Sequence, residues 1–281
     1  MQTSIWRNKT LILLFLGIVI IFAGRAFLAT ELTVPNTFHL FDMMTVSGSL
    51  FVLGRGYRDL RRRDWLLALL LGLVIGVGML FSTLFSPYPY LGVVRSTIGQ
   101  ALLRGAFTTV AVLGGLIIAR WGGPVQLHVA DGKWRQAGFG ILIGLAVGLP
   151  LAILNVFALQ FTQGQAIAWQ DPLAAMLDAL QPGIFEEVIY RFALWGLLWL
   201  MLRNSIPKQS DWISGLLAML VHNYSHFDDL FLQSPLVAVG MGAILALFWG
   251  LPPVILARRR GLESAIAFHW LQDMARFLTG F

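Results

Sequence analysis

The chain has 281 residues, 57% of them hydrophobic and only 12% charged, with a mean hydropathy of +0.75. That composition excludes a soluble domain of this length and indicates a polytopic membrane protein. The net charge of +6 does not point to nucleic acid, because the basic residues sit in short loops between apolar runs, and the absence of cysteine excludes thiolate catalysis, disulfides and Cys-ligated metals.

Arg7 and Lys9 precede an apolar run from Leu11 to Ala23, read as an uncleaved first helix over about 10–29 because further spans follow. Arg25, near its far end, is expected to snorkel to the interface. Residues 38–54 form a weaker span with Asp42 near its start, followed by the basic loop 55–63. Trp65 to Leu84 is a clear span with Trp65 as interface anchor, and Ser86-Pro87-Tyr88-Pro89-Tyr90 reads as a turn with aromatic-belt character. Residues 91–104, with Arg95, Gln100 and Arg104, read as an interfacial amphipathic helix leading into a span over about 105–120. A polar loop from Arg120 to Arg135 then gives way to a span over about 138–160, where Gly140, Gly144 and Gly148 are spaced for a close helix contact.

Asp171-Pro172 reads as a helix start, Asp as N-cap and Pro at the first position. That helix is expected to run to about Asn204 with a kink at Pro182-Gly183. Spans follow over about 211–227, 235–257 and 261–281. Alternating the loops places 15 of the 20 Lys and Arg on one side (7, 9, 55, 58, 61–63, 120, 133, 135, 203, 208 and 258–260). By the positive-inside rule that side is cytoplasmic. The expected fold is an all-α polytopic transmembrane helix bundle of about eight to nine spans. It forms a single integral membrane domain over 1–281, in which spans over 1–160 carry no motif and helices over 170–281 carry the polar groups.

Within those later helices, charge sits deep in apolar sequence. Glu186, Glu187 and Arg191 are followed by the uncharged run Phe192 to Leu202. Each charge at mid-membrane costs roughly 2.5–3.5 kcal/mol, so three cost on the order of 8–10 kcal/mol before pairing. In an α-helix Glu187 and Arg191, four apart, share a face and can pair, while Glu186 points about 100° away from Glu187, which leaves its carboxylate free for another task. An ion-pair cluster that merely locks two helices is the bland alternative. His222 and His226 are likewise four apart on the next span, and His269 and Asp273 on the last. Three helices offering such pairs point to one shared cavity. His226 is expected to bond Asp228 or Asp229 at its helix end.

A carboxylate beside a neutral histidine can activate a water, and a second polar pair opposite can stabilise an oxyanion, which is hydrolysis of an amide or ester. Glu186, His222, His226 and His269 also offer ligands for Zn²⁺, although no His-Glu-x-x-His is present. A proton-coupled transporter uses the same residue types. Composition and spacing leave all three open.

Glu186-Glu187-Val-Ile-Tyr-Arg191 resembles the EExxxR first motif of the CPBP family, the type II CAAX prenyl endopeptidases and their bacterial relatives. Ser214 to His222 resembles its second motif, an aromatic residue, three others, then His; His269-Trp-Leu-Gln-Asp273 resembles its third, His-xxx-Asn/Asp. The resemblance covers about residues 170–281. It implies an intramembrane glutamic endopeptidase without cofactor or catalytic metal. Glu186 and His222 would activate the water, His269 and Asp273 would form the oxyanion side, and Glu187 and Arg191 would hold the site. It further implies a peptide or protein substrate with a hydrophobic or lipidated segment, met in a bilayer, here expected to be a bacterial plasma membrane with the N-terminus cytoplasmic. Ala218 departs from the second motif's aromatic and is expected to enlarge or reshape the cavity; Phe192 stands where Gly is frequent. An ionised Asp273 would repel an oxyanion, so it is expected to be protonated, paired or engaged in orienting His269. Family members also include catalytically inactive scaffolds and bacteriocin-immunity proteins, which stand as the alternative reading, ahead of a metal-dependent membrane hydrolase.

Overall fold

A computed structural model describes residues 8–30, 35–85 and 89–281. Arg7 and the Ser86-Pro87-Tyr88 part of the expected turn lie outside them. Local chemistry sets the helix starts. Asn8 caps α1 (Lys9–Ala29) by accepting from Leu11 N, and Asn36 caps α2 (Thr37–Gly56) by accepting from His39 N. Asp64 reaches back to the Arg61 N–H at the start of α3 (Arg62–Phe81), and Ser96 caps α4 (Thr97–Arg120). The long α5 (Trp134–Gln163) follows, then α6 (Pro172–Asp178), where Asp171 accepts from Ala174 N ahead of Pro172 as the sequence implied. A π-helical segment over Gln181–Leu194 continues into α7 (Trp195–Leu202). Then come α8 (Ser210–Ser225) and the short α9 (Asp228–Gln233). A rod over Pro235–Arg260 is built of α10 (Pro235–Leu245), a π turn and α11 (Leu251–Arg260), and α12 (Leu262–Leu278) ends the chain.

Five of these helices or rods are long and apolar enough to cross a membrane: α1, α3, α4, α5 and the α10–α11 rod. Their outward faces carry Leu13 and Ile20, Leu66 and Leu73, Leu142 and Phe161, and Leu236. A soluble protein rarely exposes a continuous apolar surface of this kind. The protein is an integral membrane helix bundle.

Three expectations change. Residues 91–104 do not form a separate interfacial helix, because α4 is continuous from Thr97 and turns Gln100 and Arg104 inward. Tyr90 is not at an aromatic belt but fully buried, since the tight turn Tyr90–Val94 (Tyr90 N–H to Val94 O 3.0 Å, Val94 N–H to Tyr90 O 2.9 Å) folds it inward. Arg25 does not snorkel; its Nε lies 3.6 Å from Asp228 Oδ2, both side chains nearly buried.

The contact that matters most for the site is α5 against α12, where the glycine spacing has its predicted use. A Cβ on Gly144 would stand 2.2 Å from the Ser264 carbonyl oxygen, and one on Gly140 would stand 2.8 Å from that of Arg260. Those neighbours are backbone and cannot step aside, so only glycine permits this approach. Gln272 Nε2 donates to Gly148 O at 2.7 Å and locks the register. Gly144→Val is therefore expected to cost about 1–3 kcal/mol by overpacking. Gly138, with nothing within 4 Å of its would-be Cβ, provides the matched control. Thermal unfolding in detergent should show a clear drop for Gly144→Val and almost none for Gly138→Val; equal midpoints would contradict the close contact.

Candidate active site

The stretch carrying Glu186, Glu187 and Arg191 is not the kinked α-helix that the sequence suggested. It is π-helical from Gln181 to Leu194, hydrogen-bonded i to i+5. Glu186 stands off the Glu187–Arg191 pair: its Oε2 lies 2.8 Å from His222 Nε2. Glu187 Oε1 lies 3.4 Å from Arg191 Nη1, the pairing expected, and also accepts from His269 Nδ1 at 2.8 Å. Glu186, Glu187, Arg191 and His222 are all at most 5% exposed.

Hydrogen-bond direction assigns the His222 tautomer. Arg191 Nη1 is hydrogen-bonded to His222 Nδ1, and a guanidinium can only donate. Nδ1 is then the acceptor, and the ring hydrogen sits on Nε2, where it donates to Glu186. His269 is held differently. Beyond its bond to Glu187, its Nε2 lies 3.3 Å from Asp273 Oδ2 and 3.9 Å from Glu186 Oε2. Both nitrogens face carboxylates, so both carry hydrogen. Asp273 is in turn paired with Arg276 Nη2 at 3.0 Å. Three carboxylates thus meet two guanidinium groups and a charged imidazole, the balance that makes such burial tolerable.

All six residues singled out in the sequence come together, and Glu186, Arg191, His222, His269 and Asp273 line one cavity of about 440 Å³. Its apolar walls include Phe85, Leu159, Leu245 and Trp249. His226 corrects its expectation: it also lines the cavity, while Asp228 instead accepts from Thr37 N (2.6 Å) and Thr37 Oγ1 (2.5 Å). The donor atoms of Glu186, His222 and His226 lie within 4.8 Å of one another. Ala218 is buried and lies outside the cavity lining.

Sequence reasoning missed the supports. Tyr190 stacks on the His222 ring at 4.6 Å and 26°. Its hydroxyl donates to Asp42 Oδ1 at 3.0 Å and lies 3.2 Å from the Phe38 carbonyl oxygen. Asp42 also accepts from Tyr90 at 2.7 Å, and the Arg104 guanidinium lies 4.4 Å over the Tyr90 ring. The Phe38 ring meets both His222 and His226. Residues of α2, α4 and the preceding turn therefore back the His222 wall. Arg276 was missed although it stands three residues after Asp273, the helical neighbour spacing that could have found it. Tyr190→Phe should lower stability by about 1–3 kcal/mol, because it removes the donor to a buried carboxyl. Tyr224→Phe, whose hydroxyl bonds an exposed carbonyl, should have little effect; an undiminished unfolding midpoint for Tyr190→Phe would contradict the support.

Residues 168–275 match the family model described as Type II CAAX prenyl endopeptidase Rce1-like. No curated protein and no solved structure matches the chain.

Proposed function

We propose, from the match of residues 168–275 to the Type II CAAX prenyl endopeptidase Rce1-like family, an intramembrane endopeptidase that hydrolyses a peptide bond with a water activated by Glu186. The observation that carries the reading is the Glu186–His222 bond at the cavity wall, with its direction set by Arg191. His222 donates to one oxygen of Glu186 and so orients the carboxylate. The carboxylate takes a proton from a water on its cavity side, and the resulting hydroxide attacks the scissile carbonyl carbon. The oxyanion is met by the His269 Nε2–H, whose distance to Asp273 leaves it free to swing to a substrate oxygen. Asp273, held by Arg276, orients His269 rather than facing the oxyanion. Glu186 then returns the proton to the leaving nitrogen as the C–N bond breaks.

The substrate is a peptide or protein segment with an apolar or lipidated portion, because the cavity's polar end is set among Phe85, Leu159, Leu245 and Trp249. In this reading the chain is one integral membrane domain. Residues 170–281 do the chemistry, and the helices within 1–160 brace it. The protein is read as lying in a bacterial plasma membrane, and the excess of Lys and Arg on one side supports an N-terminus in the cytoplasm.

The grouping of Glu186, His222 and His226 favours a second reading, a metal-dependent hydrolase. Its difficulty is chemical: a metal at His222 Nε2 needs the lone pair there, which moves the ring hydrogen to Nδ1 and against the Arg191 donor. Cleavage of a pool of quenched fluorescent peptides, prenylated and not, by purified protein with and without chelator separates the two. Cleavage indifferent to chelator supports the Glu186 reading. Inhibition reversed by Zn²⁺ supports the metal.

A further inference from the structure

A second and larger cavity, of about 640 Å³, lies away from the active site between α1, α2 and α7. We infer that it is a binding site for one anionic phospholipid, with an acyl chain in the cavity and the phosphate on Arg55 and Arg203.

The helix α1 is held at two points. It is tied near its start, where Thr10 Oγ1 lies 3.3 Å from Ser205 Oγ, and near its end, where Arg25 meets Asp228 at 3.6 Å. Between those ties no α1 residue is fully buried. Its inner residues Leu14, Ile18 and Ile21 pack only partly buried against the core and border the apolar gap, and a gap of this volume in a bilayer protein is filled by something apolar. The gap is walled by α1, α2 and α7 rather than laid on one face, and it opens outward past Leu13, Met44 and Phe51, so a lipid can enter it from the bilayer.

Charge is distributed unevenly around the cavity. The lining is apolar except at one end, where Arg55, Arg203 and Asn204 stand, and no acidic residue reaches it. Two arginines at other helix ends are neutralised: Arg120 pairs with Asp64, and Arg258 with Asp211. Arg55 and Arg203 have no carboxylate partner among the described residues. Each rests instead on a ring, Phe51 at 4.2 Å and Trp199 at 5.0 Å, which orders the side chain while leaving its N–H groups to be taken. Two ordered, unneutralised guanidinium groups at the mouth of an apolar slot complement an amphiphile with a phosphate head. The slot's inner wall includes Phe41 and Val221, neighbours in sequence of Asp42 and His222, so its occupant packs behind the active-site wall.

Gly17 supplies a clean test. It lines the cavity, and a Cβ there would meet nothing within 4 Å. Gly17→Phe should fill the slot without displacing backbone, and it replaces a residue that weakens helices. Full-length protein purified in neutral detergent would be titrated with fluorescent phosphatidylglycerol, and with phosphatidylcholine bearing the same chains. The expected result is saturable binding of phosphatidylglycerol at one site per protein, with weaker binding of phosphatidylcholine. Arg55→Gln with Arg203→Gln should weaken phosphatidylglycerol about 25-fold, each arginine near an anionic headgroup contributing roughly fivefold. Gly17→Phe should remove the site. Unfolding midpoints of the lipid-free variants, compared with wild type, report whether either has damaged the fold. Absence of saturable binding, equal affinity for the two headgroups, or binding that survives Gly17→Phe would each overturn the proposal. The titration needs no catalytic activity, so its outcome is independent of the peptidase reading.

Discussion

Glu186→Gln should reduce peptide cleavage by about 10²–10⁴-fold, the range attributed to a positioned general base, and leave the folded protein intact. The substitution is nearly isosteric. The amide oxygen of glutamine can still accept from His222 Nε2, so the 2.8 Å contact and the ring's tautomer survive. What is lost is the capacity to take a proton from water. His222→Ala should also abolish cleavage, but for a different reason: it removes the donor that orients Glu186 and leaves Arg191 facing a void. The pair of variants therefore separates two roles. A Glu186→Gln protein with unchanged unfolding midpoint and wild-type cleavage would remove Glu186 from the chemistry. The same midpoint with no cleavage would place it there.

Arg191→Ala should be the most destabilising single change in the site. Arg191 is 1% exposed, and its guanidinium serves both Glu187 and His222. Removing one partner of a buried pair costs about 3–5 kcal/mol, a large part of a total stability of roughly 5–15 kcal/mol. Glu187 would keep only His269 as a partner. A low yield of folded membrane protein is the expected readout. The double variant Glu187→Met with Arg191→Met should recover most of that yield, because no charge is then stranded and the side chains have similar length. It should not recover cleavage, since His222 Nδ1 would have lost the donor that fixes its tautomer. Equal yields for wild type and Arg191→Ala would argue against the buried pair. Cleavage regained by the double variant would argue against the tautomer argument.

Much of this arrangement was legible in the sequence, for physical reasons. Charges inside apolar helices are expensive, so Glu186, Glu187, Arg191, His222, His269 and Asp273 stood out against their surroundings and were placed in one cavity. The Asp171-Pro172 start and the Gly140, Gly144, Gly148 contact are local chemistry with local signatures. The supports were not legible. Asp42 reaches Tyr190 across 148 residues, and nothing near either residue records the other. In a bilayer both sides of a helix are apolar, so periodicity does not say which face meets protein. That is why Arg104 and Gln100 were placed at an interface when they point inward, and why Arg25 was expected at the membrane edge rather than on Asp228. The π-helical course of 181–194 was hidden as well. An α-helical wheel pairs Glu187 with Arg191 and turns Glu186 off that pair toward another task, which is the arrangement seen, but it carries no sign of the wider i to i+5 turn.

The most direct test of the account is a single turnover in water enriched in ¹⁸O, using a peptide the wild type cleaves and reading both product and protein by mass spectrometry. Attack by a water activated on Glu186 predicts ¹⁸O in the new carboxyl group of the product and none in the Glu186 side chain. Label in the Glu186 carboxylate would show that this residue attacks the peptide itself, and would contradict the central claim.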